Sequence, residues 1–213
     1  MAKYSLVKDD TIEEGHHTLY RIQATQRIYA HNPYTGTFVK PGDLGGYVES
    51  EENLAQSGDS WLFPGAKAFS LARIAGHARV FGPATICGCA KIYGHATVYG
   101  PALINGNARI YNSATIGQLR DKEHPENEII IRGATKIHGF TRIYRDYDRD
   151  STITISGNID LYGYTELTGI SLSGDITIKT PITSYGVISD RPLQLIHTKT
   201  RKALEKRGIH IPE

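Results

Sequence analysis

The hydrophobic positions between residues 72 and 119 recur every six residues, with one β-branched aliphatic side chain in each unit. A small residue stands two positions before each aliphatic, and glycine follows most of them by two positions. The aliphatic positions are Ile74, Val80, Ile86, Ile92, Val98, Ile104, Ile110 and Ile116. One apolar residue in six is too sparse for an amphipathic helix or for an alternating strand. The pattern predicts very short strands, each with one inward side chain, separated by corners where alanine and glycine let the chain turn.

A second period, of eighteen residues, runs through the same segment. The sets that share it are His77 with His95, Pro83 with Pro101, Tyr93 with Tyr111, and Arg73 with Lys91 and Arg109. Three six-residue units would close one three-sided coil, and successive coils would stack as parallel strands about 4.8 Å apart. The sequence therefore predicts an all-β, three-sided parallel coil of about six turns, in which each set forms a column along the outside.

The segments on either side of the repeat differ from it. Residues 18–48 alternate and contain turn residues, which predicts a small antiparallel β unit that caps the first coil. Trp61 and Phe63 are predicted to be buried at this cap rather than to contact a ligand. We therefore divide the chain into a β cap over 1–65, a repeat body over 66–188 and a C-terminal segment over 189–213.

The repeat body is interrupted twice. Polar stretches at 118–131 and 145–150 break the six-residue period, which predicts loops that leave the coil and re-enter it. Aliphatic residues resume the period at Ile137, Ile143, Ile155, Leu161 and Leu167, and continue it after a one-residue slip at Leu172 and Ile178. Residues 189–208 then show helical spacing between capping signals and Gly208, which predicts a C-terminal α-helix. This helix would close the last coil or pack on a neighbouring subunit.

The six-residue units resemble the hexapeptide repeats of left-handed parallel β-helix proteins, among them acyltransferases that assemble as trimers. The resemblance implies left-handed connections, a homotrimer and, for the enzymes, acetyl-coenzyme A as acyl donor. One detail departs from the acyltransferase pattern, because glycine comes one place later than usual after the inward aliphatic. In this respect the units are similar to uncharacterised hexapeptide-repeat proteins of bacterial and prophage genomes. The segment from Lys40 to Ala66 also resembles the opening of an uncharacterised bacterial protein classed as an acetyltransferase.

Charge is distributed unevenly along the chain. The net charge is +2, yet residues 61–117 contain five basic residues and no acidic one. In a strand whose aliphatic residue points inward, its two neighbours point outward. One face should then carry a basic column of Arg73, Lys91 and Arg109 beside a column with Tyr93 and Tyr111. We predict this face as the binding surface, for an acidic protein or for a nucleotide or nucleic acid.

Two alternatives to a bound partner stay open for these cations. Acidic residues of the N-terminal segment, Glu49, Glu51 and Glu52, could cover them. They could also form a solvated face on which the long side chains fan apart.

A catalytic interpretation depends on one histidine. In acyltransferases of the resembled family a loop histidine serves as general base, and His124 lies in the first predicted excursion. Asp121, Glu123 and Glu126 are near enough in sequence to orient its imidazole. The alternative is an exposed loop histidine among solvated charges.

Cysteine content and hydropathy exclude several further classes. Cys87 and Cys89 are the two cysteines of the chain, and we interpret them as small repeat residues rather than a metal or redox pair. No disulfide framework and no metal site are expected. No stretch is apolar enough to span a membrane, and the N-terminal residues lack the apolar core of a signal peptide. The expected location is the cytoplasm, with no membrane contact.

The sequence thus favours a non-catalytic binding protein without a cofactor, an accessory factor of phage or prophage type that acts on a host component. The alternative is a coenzyme-A-dependent O- or N-acyltransferase that uses His124 and acetyl-coenzyme A. We also expect a homotrimer, because one rod would leave four outward aromatic side chains unshielded. These are Phe81, Tyr93, Tyr99 and Tyr111.

Overall fold

The structure, a computed structural model, describes residues 2–33, 35–117, 128–144, 152–178, 182–189 and 209–210. Across these residues the chain is all-β, and its one helical segment is the 3-10 turn Glu51–Asn53. Most strands belong to one large sheet whose later strands are parallel. The predicted all-β class with parallel strands is therefore confirmed. Within the same residues no helix is both long and apolar enough to cross a membrane.

Five strands form an antiparallel unit at the N-terminus. They are β1 (Tyr4–Glu14), β2 (His17–Ala24), β3 (Ile28–Asn32), β4 (Thr37–Val39) and β5 (Leu44–Val48). Strand β2 pairs with β1 and with β5, and β3 pairs with β4. The predicted antiparallel cap is present, and it contains one strand, β1, that the sequence pattern did not predict. Trp61 and Phe63 are buried against this unit, as expected.

A buried lysine connects the N-terminal residues to the first coil by hydrogen bonds. Lys3 is almost fully buried, and its Nζ donates hydrogen bonds to the carbonyl oxygen and Oγ of Ser60 at 2.8 and 3.2 Å. Burial lowers the pKa of the Lys3 ammonium to about 8, while the nearby Asp59 carboxylate acts in the opposite direction. Both hydrogen bonds join residues far apart in sequence, so they hold the cap against the coil.

The repeat region folds into short strands connected by corners. They are β6 (Trp61–Leu62), β7 (Lys67–Ala68), β8 (Arg73–Ile74), β9 (Arg79–Val80), β10 (Thr85–Ile86), β11 (Lys91–Ile92), β12 (Thr97–Val98), β13 (Ala102–Ile104), β14 (Arg109–Ile110) and β15 (Thr115–Ile116). Each strand from β6 to β12 pairs in parallel with the third strand after it. Three ladders result, with partners eighteen residues apart, in a parallel β-helix-like arrangement. Parallel pairing already begins at β5, through Val48 and Ala68, ahead of the boundary that the sequence placed at 66.

Seven further strands follow, and all but the last continue the parallel pairing. They are β16 (Ile129–Gly133), β17 (Lys136–Ile137), β18 (Arg142–Tyr144), β19 (Ile153–Leu161), β20 (Thr165–Ile178), β21 (Ile182–Ser189) and β22 (Ile209–His210). The separation between paired residues rises to 27 at Ile104–Ile131, then is 24 at Ile131–Ile155 and 17 at Ile155–Leu172. The coil therefore absorbs both insertions and the predicted slip without losing register.

Three predicted features lie largely or wholly outside the described residues. Of the excursion at 118–131, residues 129–131 form strand, and 118–127 are not described. The excursion at 145–150 is likewise not described. The C-terminal helix was predicted over 189–208, of which 190–208 are also outside the described residues, whereas Ser189 ends β21. Strand β22 pairs antiparallel with the end of β20.

The interior consists of the aliphatic and alanine columns. All eight aliphatic positions of the repeat are fully buried, and so are the eight alanines that stand two positions before them. The same holds for Ile137, Ile143 and Leu161 after the first excursion. The predicted phase of the repeat is confirmed, since one side chain per strand fills the core.

The corners require a left-handed backbone conformation. At the corner after β11, Gly94 has φ 69°, and a Cβ there would lie 2.9 Å from the backbone nitrogen of Asn112 on the next coil. Asn112 itself has φ 57°, a conformation that asparagine tolerates better than most residues. The glycine period in the sequence therefore reflects both the turn and the close approach of successive corners.

Candidate functional site

The predicted basic column exists and is longer than expected. Arg73, Lys91 and Arg109 are directly paired on successive strands, and Lys136 continues the column on β17. All four side chains are exposed. We call these four residues the basic column. Its next position is Asp160, which is in register with Lys136 and ends the run of cations.

The acidic N-terminal segment covers only the first cation. Glu52 contacts Arg73 through Oε2 and Nη2 at 2.8 Å, and both side chains are largely exposed. Glu49 instead contacts His17 at 2.9 Å and accepts a hydrogen bond from the backbone nitrogen of Ser70. The hydrogen bond from His17 lowers the pKa of Glu49. Among the described residues, Lys91, Arg109 and Lys136 have no ion-pair partner.

A column of stacked rings runs beside the basic column. Tyr93 and Tyr111 stack with their centroids 4.9 Å apart, Tyr111 and His138 stack at 4.5 Å, and His138 and Tyr162 stack at 5.1 Å. We call these four residues the aromatic column. Tyr93 and Tyr111 were predicted, whereas His138 and Tyr162 were missed. The signal for His138 was present, because Lys136-Ile137-His138-Gly139 repeats the pattern of Lys91-Ile92-Tyr93-Gly94.

The stacking determines what the aromatic column can offer a partner. The ring planes differ by at most 10°, so the faces of Tyr111 and His138 are covered by their neighbours. Ring edges and the tyrosine hydroxyls remain for contact. Burial raises the pKa of the Tyr111 hydroxyl above its usual value, and Tyr93 and Asp160 act in the same direction. This hydroxyl therefore stays protonated and able to donate a hydrogen bond.

His138 is oriented within its column by a carboxylate. Its Nε2 lies 3.0 Å from Oδ1 of Asp160, the residue that ends the basic column. The ring is held between Tyr111 and Tyr162, so its plane is fixed by stacking as well as by this hydrogen bond. The basic and aromatic columns together form what we call the basic–aromatic face.

A third column lies at the corner that follows this face. His77, His95, Ser113, Phe140 and Tyr164 occupy equivalent corner positions, as the backbone hydrogen bonds from His77 to Gly94, His95 to Asn112, Ser113 to Gly139 and Phe140 to Gly163 show. We call these five residues the corner column. His77 and His95 stack at 4.7 Å, and Phe140 and Tyr164 stack at 4.9 Å. The histidines are exposed turn residues, as expected, and Asp59 lies 3.3 Å from His77.

The prediction that the outward ring of Phe81 is left unshielded is wrong. Phe81 is fully buried, stacked between Phe63 at 4.1 Å and Tyr99 at 5.0 Å. Tyr99 is itself half-buried and packs against the core. Because the residues that shield Phe81 are part of this chain, Phe81 does not require a neighbouring subunit.

His124, the residue of the catalytic alternative, and its three acidic neighbours lie outside the described residues. The role of His124 and the binding of acetyl-coenzyme A stay predictions. Both cysteines are free thiols, and burial raises the pKa of Cys87. In the described part of the chain, no group of three or more histidine, cysteine, aspartate or glutamate side chains could hold a metal ion.

Comparison with known proteins adds no relative: no protein-family model matches the chain, and a search of curated proteins finds no match.

Proposed function

We propose that this protein is a non-catalytic binding protein that holds an anionic partner on the basic–aromatic face. The observation that supports the proposal is the run of Lys91, Arg109 and Lys136, three exposed cations on adjacent paired strands with no ion-pair partner among the described residues. Adjacent strands lie about 4.8 Å apart, so these charges repel one another when no anion is near. An anionic partner removes this repulsion.

The neighbouring column fits the same kind of partner. Lysine, arginine and tyrosine hydroxyls are all hydrogen-bond donors, and donors aligned in two columns suit a surface rich in acceptors. Carboxylates, phosphates and sulfates are such acceptors, and their hydrogen bonds to charged donors are stronger than neutral ones. An acidic protein and a nucleotide or nucleic acid both meet this requirement.

The finer description of the fold belongs to the same proposal. The hexapeptide units support a three-sided, left-handed β-helix of about six coils, with a C-terminal helix that closes it or contacts a neighbouring subunit. The later position of glycine in each unit supports a phage or prophage accessory factor that acts on a host component, rather than an acyltransferase. A cytoplasmic location follows from the same resemblance and from the cysteine content.

We further infer a homotrimer, in which the basic–aromatic face stays accessible. Light scattering at micromolar concentration should give three times the 23.5 kDa chain mass. The double substitution Lys91→Glu/Arg109→Glu should leave that mass unchanged, because the face is not the subunit contact. A monomer mass for the wild type would contradict the trimer. A trimeric wild type with a monomeric double variant would show that this face is the subunit contact.

Salt-dependent binding of defined polyanions tests the binding function. We expect fluorescence-labelled single-stranded oligodeoxynucleotides or poly-L-glutamate to bind, and the affinity to fall as salt rises. For three phosphate contacts, log K for a single strand should fall against log salt with a slope of about −2. Binding of neither probe at low salt would contradict the proposal, and salt-insensitive binding would assign it to another surface.

A further inference from the structure

The corner column contains one position at which a ring is missing. His95 and Phe140 both present rings, and Ser113 lies between them on the intervening coil. Phe140 and Tyr164 are among the most exposed large hydrophobic side chains described, at 54% and 68%. His95 is exposed as well. The small side chain of Ser113 thus leaves an open gap between two exposed rings.

The size of this gap follows from the strand spacing. His95 and Phe140 are two strand spacings apart, about 9 to 10 Å. A planar ring placed over Ser113 would lie one spacing from each neighbour. Rings elsewhere on this surface stack at that spacing, with centroids 4.5 to 5.1 Å apart. A bound ring would therefore complete a continuous stack from His77 to Tyr164. We call this gap the ring slot.

The chemistry around the ring slot favours a polar ring over an apolar one. The Ser113 hydroxyl forms the floor and has no hydrogen-bond partner among the described residues. The exposed Asn112 precedes it in the chain and offers both an amide donor and an amide acceptor. Nucleobases carry donors and acceptors around their rim, whereas phenylalanine carries none and tryptophan one donor. The unfilled hydrogen bonds at the floor therefore match a nucleobase.

The ring slot also lies within reach of the basic column. On strand β14 and the corner after it, Arg109, Tyr111 and Ser113 follow one another at alternate positions. A fully extended chain would separate Arg109 from Ser113 by about 13 Å, and the turn at Asn112, with φ 57°, brings them closer than that. A nucleotide whose base occupies the slot can therefore place its phosphate near the cations of the basic–aromatic face.

We propose that the anionic partner is a nucleotide unit, whose base stacks between His95 and Phe140 over Ser113 while its phosphate binds Arg109 and Lys91. This rests on the proposed function and narrows its ligand class. Tyr111 and His138 of the aromatic column cannot stack on the base, because neighbouring rings cover both faces of each. The unit is either a free nucleotide or part of a single strand.

Filling the slot with a ring of the chain itself tests the inference. Ser113→Phe should fold normally, because His95, Phe140 and Tyr164 already hold rings at equivalent corner positions. It should weaken binding of an oligodeoxyadenylate of about ten nucleotides by about ten- to a hundredfold, since stacking contributes about 1–3 kcal/mol per base. Binding of poly-L-glutamate, which has no ring, should stay unchanged.

Matched controls separate the slot from a general effect of an added ring. Asn107→Phe adds a ring at the equivalent position of a different corner, beside Cys89, and should bind the oligonucleotide like the wild type. Ser113→Ala keeps the slot open, and its affinity for the oligonucleotide should fall only a few-fold. An abasic phosphodiester of the same length should bind the wild type as weakly as the oligonucleotide binds Ser113→Phe. Competition by adenosine monophosphate would identify a free nucleotide as the ligand, and competition by the strand alone would identify a strand unit.

Several outcomes would contradict a nucleotide as the ligand of the ring slot. Oligonucleotide binding by Ser113→Phe at wild-type affinity would do so, and so would equal affinity for the abasic strand. If Ser113→Phe instead kept oligonucleotide binding and lost binding of a tryptophan-containing acidic peptide, the slot would bind an aromatic side chain of an acidic protein. In these cases binding to the basic column would stand. If the wild type bound neither the oligonucleotide nor poly-L-glutamate, the binding function itself would fail.

Discussion

Replacing Ile92 with aspartate is expected to prevent folding. Ile92 is fully buried, and its strand pairs in register with Ile74 on one side and Ile110 on the other. Losing the aliphatic side chain costs about 2–5 kcal/mol, and burying a carboxyl without a partner adds several more. The sum is comparable to the whole stability of a typical domain, about 5–15 kcal/mol. Circular dichroism should show no cooperative melting transition.

The neighbouring position supplies the control. Lys91→Asp introduces the same residue one position earlier, where the side chain points to solvent. That variant should melt cooperatively within a few degrees of the wild type, because surface substitutions usually change stability by less than about 0.5 kcal/mol. A soluble, cooperatively melting Ile92→Asp variant would show that the inward phase of the repeat is wrong.

The repeat itself could be predicted because it depends on local geometry. Each strand contributes one inward aliphatic and each corner one alanine, so a six-residue period determines burial without knowledge of distant contacts. The eighteen-residue period likewise placed Arg73, Lys91 and Arg109 in one column, and the strand pairing confirms it.

The eighteen-residue period could not predict which residues continue these columns after the first insertion. Lys136 follows Arg109 by 27 residues rather than eighteen, because an insertion separates their coils. The length of an inserted loop does not reveal the register in which the chain returns. Only the local similarity of Lys136-Ile137-His138 to the earlier units indicated where the column resumes. His138 and Tyr162, half of the aromatic column, were therefore missed.

The six-residue repeat also could not predict which side chains are buried by segments distant in the sequence. Phe81 follows an inward valine and should point outward, yet it is fully buried. Its position in the repeat shows the direction of the side chain but not what covers that side of the coil. Likewise, the sequence left open which acidic residue meets Arg73, and the contact with Glu52 depends on the path of the N-terminal segment.

The second large effect is expected from reversing the two central cations. Lys91→Glu/Arg109→Glu should weaken binding of the oligodeoxyadenylate and of poly-L-glutamate by at least about thirtyfold. This corresponds to about 2 kcal/mol, or about 1 kcal/mol for each cation. The variant should still fold, because two of the three neighbouring pairs in the column change from repulsive to attractive and only the pair of new carboxylates still repels. The melting temperature should be unchanged or slightly higher.

The control is a double variant with the same change in net charge at positions outside the basic column. Lys8 and Lys40 are exposed lysines of the N-terminal unit, away from the basic column. Lys8→Glu/Lys40→Glu alters the net charge of the protein by the same amount and should retain most of the binding. A loss shared by both double variants would indicate a general charge effect rather than a defined surface.

The most direct test of the binding surface is a fluorescence-anisotropy titration of the labelled oligodeoxyadenylate at one salt concentration against the wild type and the two double variants. We predict tight binding by the wild type, nearly equal binding by Lys8→Glu/Lys40→Glu, and at least about thirtyfold weaker binding by Lys91→Glu/Arg109→Glu. Equal binding by all three folded proteins would contradict the assignment of the basic–aromatic face.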